Sequence, residues 1–308
     1  MMMTPEKAEE LMRDCTLCPR QCHANRHAGD RGFCGQSTEI MAARAALHFW
    51  EEPCISGSSG SGAVFFTGCA LQCVFCQNHD IAIGRKGRSL SVQRLAQIYL
   101  ELQEKGASNI NLVTAGHFLP QVCLSLSEAR SRGLSIPVVY NSSGYEEISS
   151  LKFLEGLVNI YLPDLKYHSS ELSARYSHAP DYFQKACAAI AEMLRQTGPP
   201  VFDPDTGLMR SGVIVRHLLL PGETGDSKRV LRYLHNTFGN DIYVSIMNQY
   251  TPVRDSQSLP EILRRRITVE EYQKVLDFAD KIGIEQGYIQ EGDTAEESFI
   301  PAFDGSGL

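Results

Sequence analysis

The sequence has no run approaching about 18 apolar residues, so no membrane-spanning helix is expected. Its start, Met1-Met2-Met3-Thr4-Pro5-Glu6-Lys7, lacks an apolar signal core. A basic excess is also missing. The 308 residues carry a formal net charge of −7, which argues against a nucleic-acid or anionic-membrane surface. At 43 % hydrophobic and 21 % charged, the composition is neither disordered nor fibrous. These absences leave a cytoplasmic globular protein. Its length suits one large α/β domain with an appendage, or two small domains.

Cysteine is abundant, with ten residues. In a reducing compartment that number points to metal or redox chemistry more than to disulfides. The thiols form two clusters, Cys15/Cys18/Cys22/Cys34 and Cys69/Cys73/Cys76. Cys54, Cys123 and Cys187 stand apart. Cys123 and Cys187 fall in helix-like stretches, where a reduced cysteine packs as a small hydrophobe.

Residues 1–61 are rich in Cys, Arg and His, lack a long periodic pattern and end in a Ser/Gly loop. A regular rhythm follows. Strands are expected at 63–67, 109–114, 136–140, 158–162, 212–220 and 242–247. Helices are expected at 92–102, 119–132, 146–155, 170–196 with a break near Pro180, 226–238, and from Val269 to Ala279 with Thr268 as cap. Six alternating strand–helix units predict a parallel sheet covered by helices. Periodicity leaves open whether that sheet is doubly wound or a full or partial (β/α) barrel. In either case chemistry collects at the strand ends. Thr67-Gly68-Cys69, Thr114-Ala115-Gly116-His117, Asn141-Ser142, Asp164-Leu165-Lys166, Arg216-His217 and Asn248-Gln249-Tyr250 all fall there.

The loop Cys69-Ala70-Leu71-Gln72-Cys73-Val74-Phe75-Cys76 has the spacing C-x3-C-x2-C. Three thiolates on one tight loop can hold three irons of a [4Fe–4S] cluster and leave one position open for chemistry. The competing reading is a structural zinc site completed by His79 or another residue. Asp164 and Lys166, two apart on a strand, share a face. Arg216 lies in a strand of Val213, Ile214, Val215, Leu218, Leu219 and Leu220 and is expected to meet a carboxylate. Cys15-x2-Cys18-x3-Cys22-x11-Cys34 puts four soft ligands on a stretch too small for its own core. A metal there would supply folding energy, and zinc and a second [4Fe–4S] cluster both suit it.

The three-cysteine loop resembles the cluster motif of radical S-adenosylmethionine (SAM) enzymes. Phe65-Phe66-Thr67-Gly68-Cys69, Cys76-Gln77-Asn78, Tyr161-Leu162-Pro163-Asp164-Leu165-Lys166, Arg216-His217-Leu218-Leu219-Leu220-Pro221-Gly222 and Met247-Asn248-Gln249-Tyr250 resemble the pyruvate formate-lyase activating enzyme-like branch. The resemblance implies a partial (β/α)6 barrel over 62–287, a Cys-rich extension over 1–61 and a tail over 288–308. It implies that Cys69, Cys73 and Cys76 ligate the cluster and that SAM chelates the fourth iron. An external flavodoxin- or ferredoxin-like donor reduces the cluster. A 5′-deoxyadenosyl radical then abstracts a substrate hydrogen. It also implies a SAM site built from Phe75, Thr114, Gly116, His117, Asn141, Ser142, Asp164, Lys166, Arg216 and His217, and substrate contacts from Asn248, Gln249 and Tyr250. His117 departs from the family's usual Gly-Gly-Glu-like segment. The implied substrate is a glycine of a glycyl-radical enzyme. Another peptide, an RNA or a small molecule stands as an alternative, as does a non-catalytic metal-binding module.

Overall fold

The computed structural model describes residues 2–252, 256–290 and 301–308. Residues 291–300 of the expected tail lie outside the described ones. Helix α1 (Pro5–Arg13) opens the chain, capped by the Thr4 side chain. Strand β1 (Ile40–His48) and the single turn α2 (Pro53–Ser56) follow. Then come β2 (Ser61–Phe66), α3 (His79–Ala82), β3 (Arg88–Leu90) and α4 (Val92–Glu104). The regular alternation runs through β4 (Ile110–Val113), α5 (Leu119–Ser131), β5 (Val138–Ser142), α6 (Ile148–Leu151) and β6 (Ile160–Pro163). After α7 (Ser170–Ser177) and α8 (Tyr182–Thr197) come β7 (Val201–Phe202), β8 (Met209–Leu218), α9 (Thr224–Phe238), β9 (Tyr243–Met247), α10 (Val269–Ile282) and β10 (Gly287–Ile289).

Among the described residues the sheet runs β10-β9-β8-β6-β5-β4-β2-β1-β3, with β7 beside β8. The strands from β2 to β10 along this path pair in parallel, while β1 runs antiparallel to β2 and β3 antiparallel to β1. The path does not close on itself, so the α/β fold is a mostly parallel open sheet, consistent with a partial barrel. The short strands β2, β4, β5 and β6 are buried along their whole length, as strands covered on both faces must be. The covering helices carry apolar residues at helical spacing, such as Leu95, Ile98, Tyr99 and Leu102 on α4. Ser91 caps α4, and Thr268 with Glu271 forms a capping box on α10.

All six expected strand–helix units are present, and the long helix breaks between α7 and α8 around Pro180. Several features were not expected. The helix over 146–155 is one α turn followed by a 3₁₀ turn. β7 forms a small hairpin with β8. The sheet also starts before residue 62. Alternate small residues of β1 hid its strand character, yet Ala42, Ala43 and Ala45 are buried against β2. α2 is drawn into the barrel interior. Cys54 and Ile55 pack there with Val139, Ile160, Leu162, Met209 and Ile214 as a floor. The side chain of Asn109 ties this turn down by donating to the Ile55 carbonyl at 2.7 Å.

The last residues return to β1. Gly305 donates to the Ala43 carbonyl and Ala45 to the Ser306 carbonyl, each at 2.9 Å, covering the part of β1 that β3 leaves unpaired. Gly307 has φ +76, and a Cβ there would press into the Ala45 carbonyl. Gly307→Val is therefore expected to lower the melting temperature by a few degrees, roughly 1–2 kcal/mol. An unchanged thermal unfolding curve would show that the tail does not brace β1.

Candidate active site

The parallel arrangement brings the ends of β2, β4, β5, β6, β8 and β9 to one side, and a cleft of about 230 Å³ opens there. Its wall includes Cys69, Cys73 and Cys76, Phe75, Thr114, Asn141, Ser142, Asp164, Lys166, Arg216 and Gln249. The sequence reading named these residues from six different strand ends.

The cysteine loop leaves β2 through Gly68, at φ +95. A Cβ there would meet the Cys34 carbonyl oxygen at 2.8 Å, so only glycine lets the N-terminal segment pack so closely. The Leu71 N–H donates to Cys69 Sγ at 3.3 Å, and the Ser177 hydroxyl to Cys73 Sγ at 2.9 Å. Such bonds stabilise sulfur in its thiolate form. Burial pushes the Cys69 and Cys73 thiols up, and Cys76 up to about 12. A ligated metal must therefore displace protons to bind. Three sulfurs facing one cleft, two of them hydrogen-bonded, are a donor set that fits three irons of a [4Fe–4S] cluster.

The charged groups form one connected set. Lys166 Nζ donates to Asp164 Oδ2 at 2.5 Å. Burial opposes the ammonium charge, but Asp164 and the thiols of Cys73 and Cys76 outweigh it and raise its pKa to about 12. Lys166 therefore stays charged at neutral pH. Arg216 donates to Glu51 Oε2 at 2.9 Å and to Asn141 Oδ1 at 2.5 Å, and its Nε lies 3.5 Å from Asp164 Oδ1. Asn111 completes the set by donating to Glu51 Oε1 at 2.9 Å. Burial of the guanidinium is outweighed by Glu51, Glu52 and Asp164, which hold it charged.

Thr114 is β-branched yet adopts φ +60, a conformation that costs on the order of 1–3 kcal/mol and persists only where neighbours enforce it. Its N–H is held by the Asn141 carbonyl at 2.8 Å. The next residues turn away from the main cleft. Gly116 and His117 line a smaller adjoining pocket. His117 Nε2 donates to the Thr67 carbonyl at 2.7 Å, while its own carbonyl accepts from Arg26 at 2.6 Å. His217 points to the opposite face of β8 from Arg216, buried, with Nδ1 donating to the Leu165 carbonyl at 2.7 Å. Strand alternation separates the two. Tyr250 is buried, donates to the Leu263 carbonyl at 2.6 Å and packs edge-on to Phe75. Asn248 is not among the cleft-lining residues, and its N–H donates to Gln290 Oε1 at 2.8 Å. Of the three expected substrate contacts, only Gln249 reaches the cleft.

Neither Glu51 nor Glu146 was assigned a site role by the sequence reading. Glu51 had a signal, since a buried Arg216 demands an acid and Glu51-Glu52 precede the Pro53 turn. Glu146 had none, because its place depends on how the loop after β5 folds. Burial holds its carboxyl up at about 7.

The N-terminal thiols lie beside the cysteine loop. Cys15 packs with Met12, Leu17 and Ala24 in a small core of its own. Arg26 donates to Cys34 Sγ at 3.5 Å. Cys18 shares the smaller pocket with Cys69. Arg20 donates to the Ala70 carbonyl at 2.8 Å and to the carbonyls of Ser177 and His178, and its guanidinium lies 4.0 Å from the Phe33 ring centre.

Burial depresses the His117 pKa to about 3, so the ring is neutral in the fold. The unfolded chain takes up that proton below about 6.5, so stability should fall as pH drops from about 6.5 toward 3. His117→Asn should flatten this part of the stability–pH curve. Equal acid slopes for both proteins in denaturant titrations would contradict the buried neutral ring.

A family model described as the radical SAM superfamily matches residues 63–234. An uncharacterized protein of Methanocaldococcus jannaschii is 28 % identical over 291 residues, covering 92 % of this chain and 79 % of the relative. A radical SAM methyltransferase from Sphaerobacter thermophilus is similar with a TM-score of 0.50 and 16 % identity, covering 75 % of this chain and 66 % of that one, just under two thirds of its length. A domain of pyruvate-formate lyase-activating enzyme from Bacteroides vulgatus aligns with a TM-score of 0.37 and 13 % identity, over 54 % of this chain and 87 % of that one. At these identities the methyltransferase speaks for the fold alone, and the activating-enzyme domain decides nothing about the branch. The family match spans more than half of the sequence, and the chain belongs to the radical SAM superfamily.

Proposed function

We propose that this chain cleaves SAM reductively at a [4Fe–4S] cluster held by Cys69, Cys73 and Cys76 and takes a hydrogen atom from a peptide, with a glycine of a glycyl-radical enzyme as the leading substrate. The observation that carries the reading is the single cleft in which three thiols, the Asp164–Lys166 pair and Arg216 meet at the strand ends. Bound there, cluster and SAM supply one-electron scission of a sulfur–carbon bond and hydrogen abstraction. Family membership implies both cofactors and an external reductant.

The chain's own residues then have distinct tasks. Lys166, charged at neutral pH, holds the carboxylate of the methionyl group. Asp164, Asn141 and Ser142 face the ribose or a monovalent cation. Arg216 is locked by Glu51 and keeps Asn141 and Asp164 in place. Phe75, backed by the rings of Tyr167 and Tyr250, walls the loop against water. The peptide reading rests on the mouth of the cleft, where His48 and the 62 % exposed Trp50 border it. Aromatic side chains at the rim suit contact with a peptide chain. The net charge of −7 disfavours RNA.

The proposal extends to the N-terminal thiols. Cys15, Cys18, Cys22 and Cys34 hold zinc or a second [4Fe–4S] cluster. All ten cysteines are free thiols, which suits metal ligation and a reducing cytoplasm. The Cys34 carbonyl packs against Gly68, the residue before Cys69. A flavodoxin- or ferredoxin-like protein is the proposed electron donor.

Reconstituted, reduced protein is expected to form 5′-deoxyadenosine and methionine from SAM, and the Cys69→Ala/Cys73→Ala/Cys76→Ala variant to form none. Equal yields from both would remove the catalytic assignment and leave a metal-binding module. Metal analysis of a Cys15→Ala/Cys18→Ala/Cys22→Ala/Cys34→Ala variant should show loss of zinc or of one cluster's iron. Unchanged zinc and iron would exclude metal at the N-terminus.

A further inference from the structure

Arg26 is a buried cation without a carboxylate. Its residue exposure is 3 %. One terminal nitrogen donates to the His117 carbonyl at 2.6 Å and lies 3.9 Å from Met12 Sδ. The other donates to Cys34 Sγ at 3.5 Å. Nε is buried and has no partner among the described residues. None of these partners is a carboxylate. A guanidinium does not give up its proton inside a protein. A buried charge is costly unless an opposite charge meets it. The neighbouring groups able to carry that opposite charge are thiols.

The four N-terminal cysteines are gathered around this side chain. Cys34 touches it directly. Cys15 packs with Met12, which Arg26 also touches. Cys22 Sγ lies 3.9 Å from the Cys15 carbonyl, and Gly32 leaves room for it, because a Cβ there would collide with that sulfur. Cys18 lines the small pocket with His117, whose carbonyl takes the Arg26 bond. Neutral thiols would leave the guanidinium unanswered, and a disulfide is neutral as well. Thiolates answer it, and a bound metal is what keeps several thiolates deprotonated side by side. A zinc ion or a [4Fe–4S]²⁺ core with four thiolate ligands retains a net negative charge.

We infer that Arg26 is the internal counter-ion of an anionic metal centre ligated by Cys15, Cys18, Cys22 and Cys34, an inference that rests on the N-terminal metal reading above. Arg26 is a positioning residue, not a ligand. Its bond to Cys34 holds one sulfur in place, and its charge offsets the thiolates. Through the His117 carbonyl it also fastens the centre to the turn that follows β4. Zinc and a second cluster share this chemistry, and metal analysis separates them.

The test uses the full-length chain carrying Cys69→Ala/Cys73→Ala/Cys76→Ala, so that any metal counted belongs to the N-terminal thiols. Zinc, iron and sulfide are measured in this parent and with Arg26→Met or Arg26→Lys added. If zinc is bound, chelator competition should show about 10- to 100-fold weaker retention in Arg26→Met, the range for a lost partner of a metal ligand. If iron and sulfide are bound, the reduction potential of that cluster should fall in Arg26→Met. Arg26→Lys keeps the charge and should recover most of either effect. After removal of the metal the order of stability should reverse. Stripped Arg26→Met should melt at or above the stripped parent, which then holds an unpaired buried charge. Unchanged metal retention and potential in Arg26→Met overturn the inference and leave the metal reading standing. A stripped Arg26→Met that melts below the stripped parent, or no recovery by Arg26→Lys, makes Arg26 a strut for the His117 turn and overturns it too. A parent that binds neither zinc nor iron refutes the N-terminal metal reading itself, a result distinct from the others.

Discussion

Arg216 brings a guanidinium into the interior of a parallel sheet, and the rest of the site is arranged around its neutralisation. An unpaired charge there would cost more than any single buried aliphatic side chain contributes, since those give about 1.5–3 kcal/mol each. Glu51 meets the demand from outside the regular strand–helix repeat. To deliver it, the chain between β1 and β2 dips into the barrel and seats Cys54 and Ile55 on the floor. The same guanidinium orients Asn141 at the end of β5 and approaches Asp164 at the end of β6. Lys166 then finds its counter-ion already placed. One ion pair thus ties the N-terminal part of the chain, three strands and the cleft wall into a single electrostatic unit.

A second layer of support holds the cysteine loop. Arg20 grips the Ala70 carbonyl, which lies between two of the three thiols, and also grips Ser177, whose hydroxyl bonds to Cys73. Gln72 reaches back to the Phe33 carbonyl at 2.7 Å, and Gly68 lets the segment around Cys34 close in. The Cys-rich start of the chain is therefore packed on the three-cysteine loop.

The repeating units were legible because β2, β4, β5 and β6 are short apolar runs between helices with clear caps and periodicity. The cleft was legible because motifs at parallel strand ends must come together, as Cys69, Thr114, Asn141, Asp164 and Arg216 do. β1 was hidden because its alanines carry little hydrophobic signal and its partner comes later in the chain. Gly116, His117 and His217 were placed in the SAM site by motif alone. Backbone direction after Thr114 turns Gly116 and His117 to the smaller adjoining pocket, and alternation along β8 turns His217 away from Arg216; neither is visible without coordinates. Tyr250 looked like a contact residue, yet it is a buried strut behind Phe75. Glu146 shows the reverse case, a residue without a motif whose position is set wholly by tertiary folding.

The most direct test of the central claim, that the cleft holds an open-site cluster, is electron paramagnetic resonance of the reduced protein with and without SAM. The account predicts a [4Fe–4S]⁺ signal whose g-values move when SAM is added, with that SAM-responsive component missing from the Cys69→Ala/Cys73→Ala/Cys76→Ala variant. A signal indifferent to SAM, or a SAM-responsive one that survives in the variant, would contradict it.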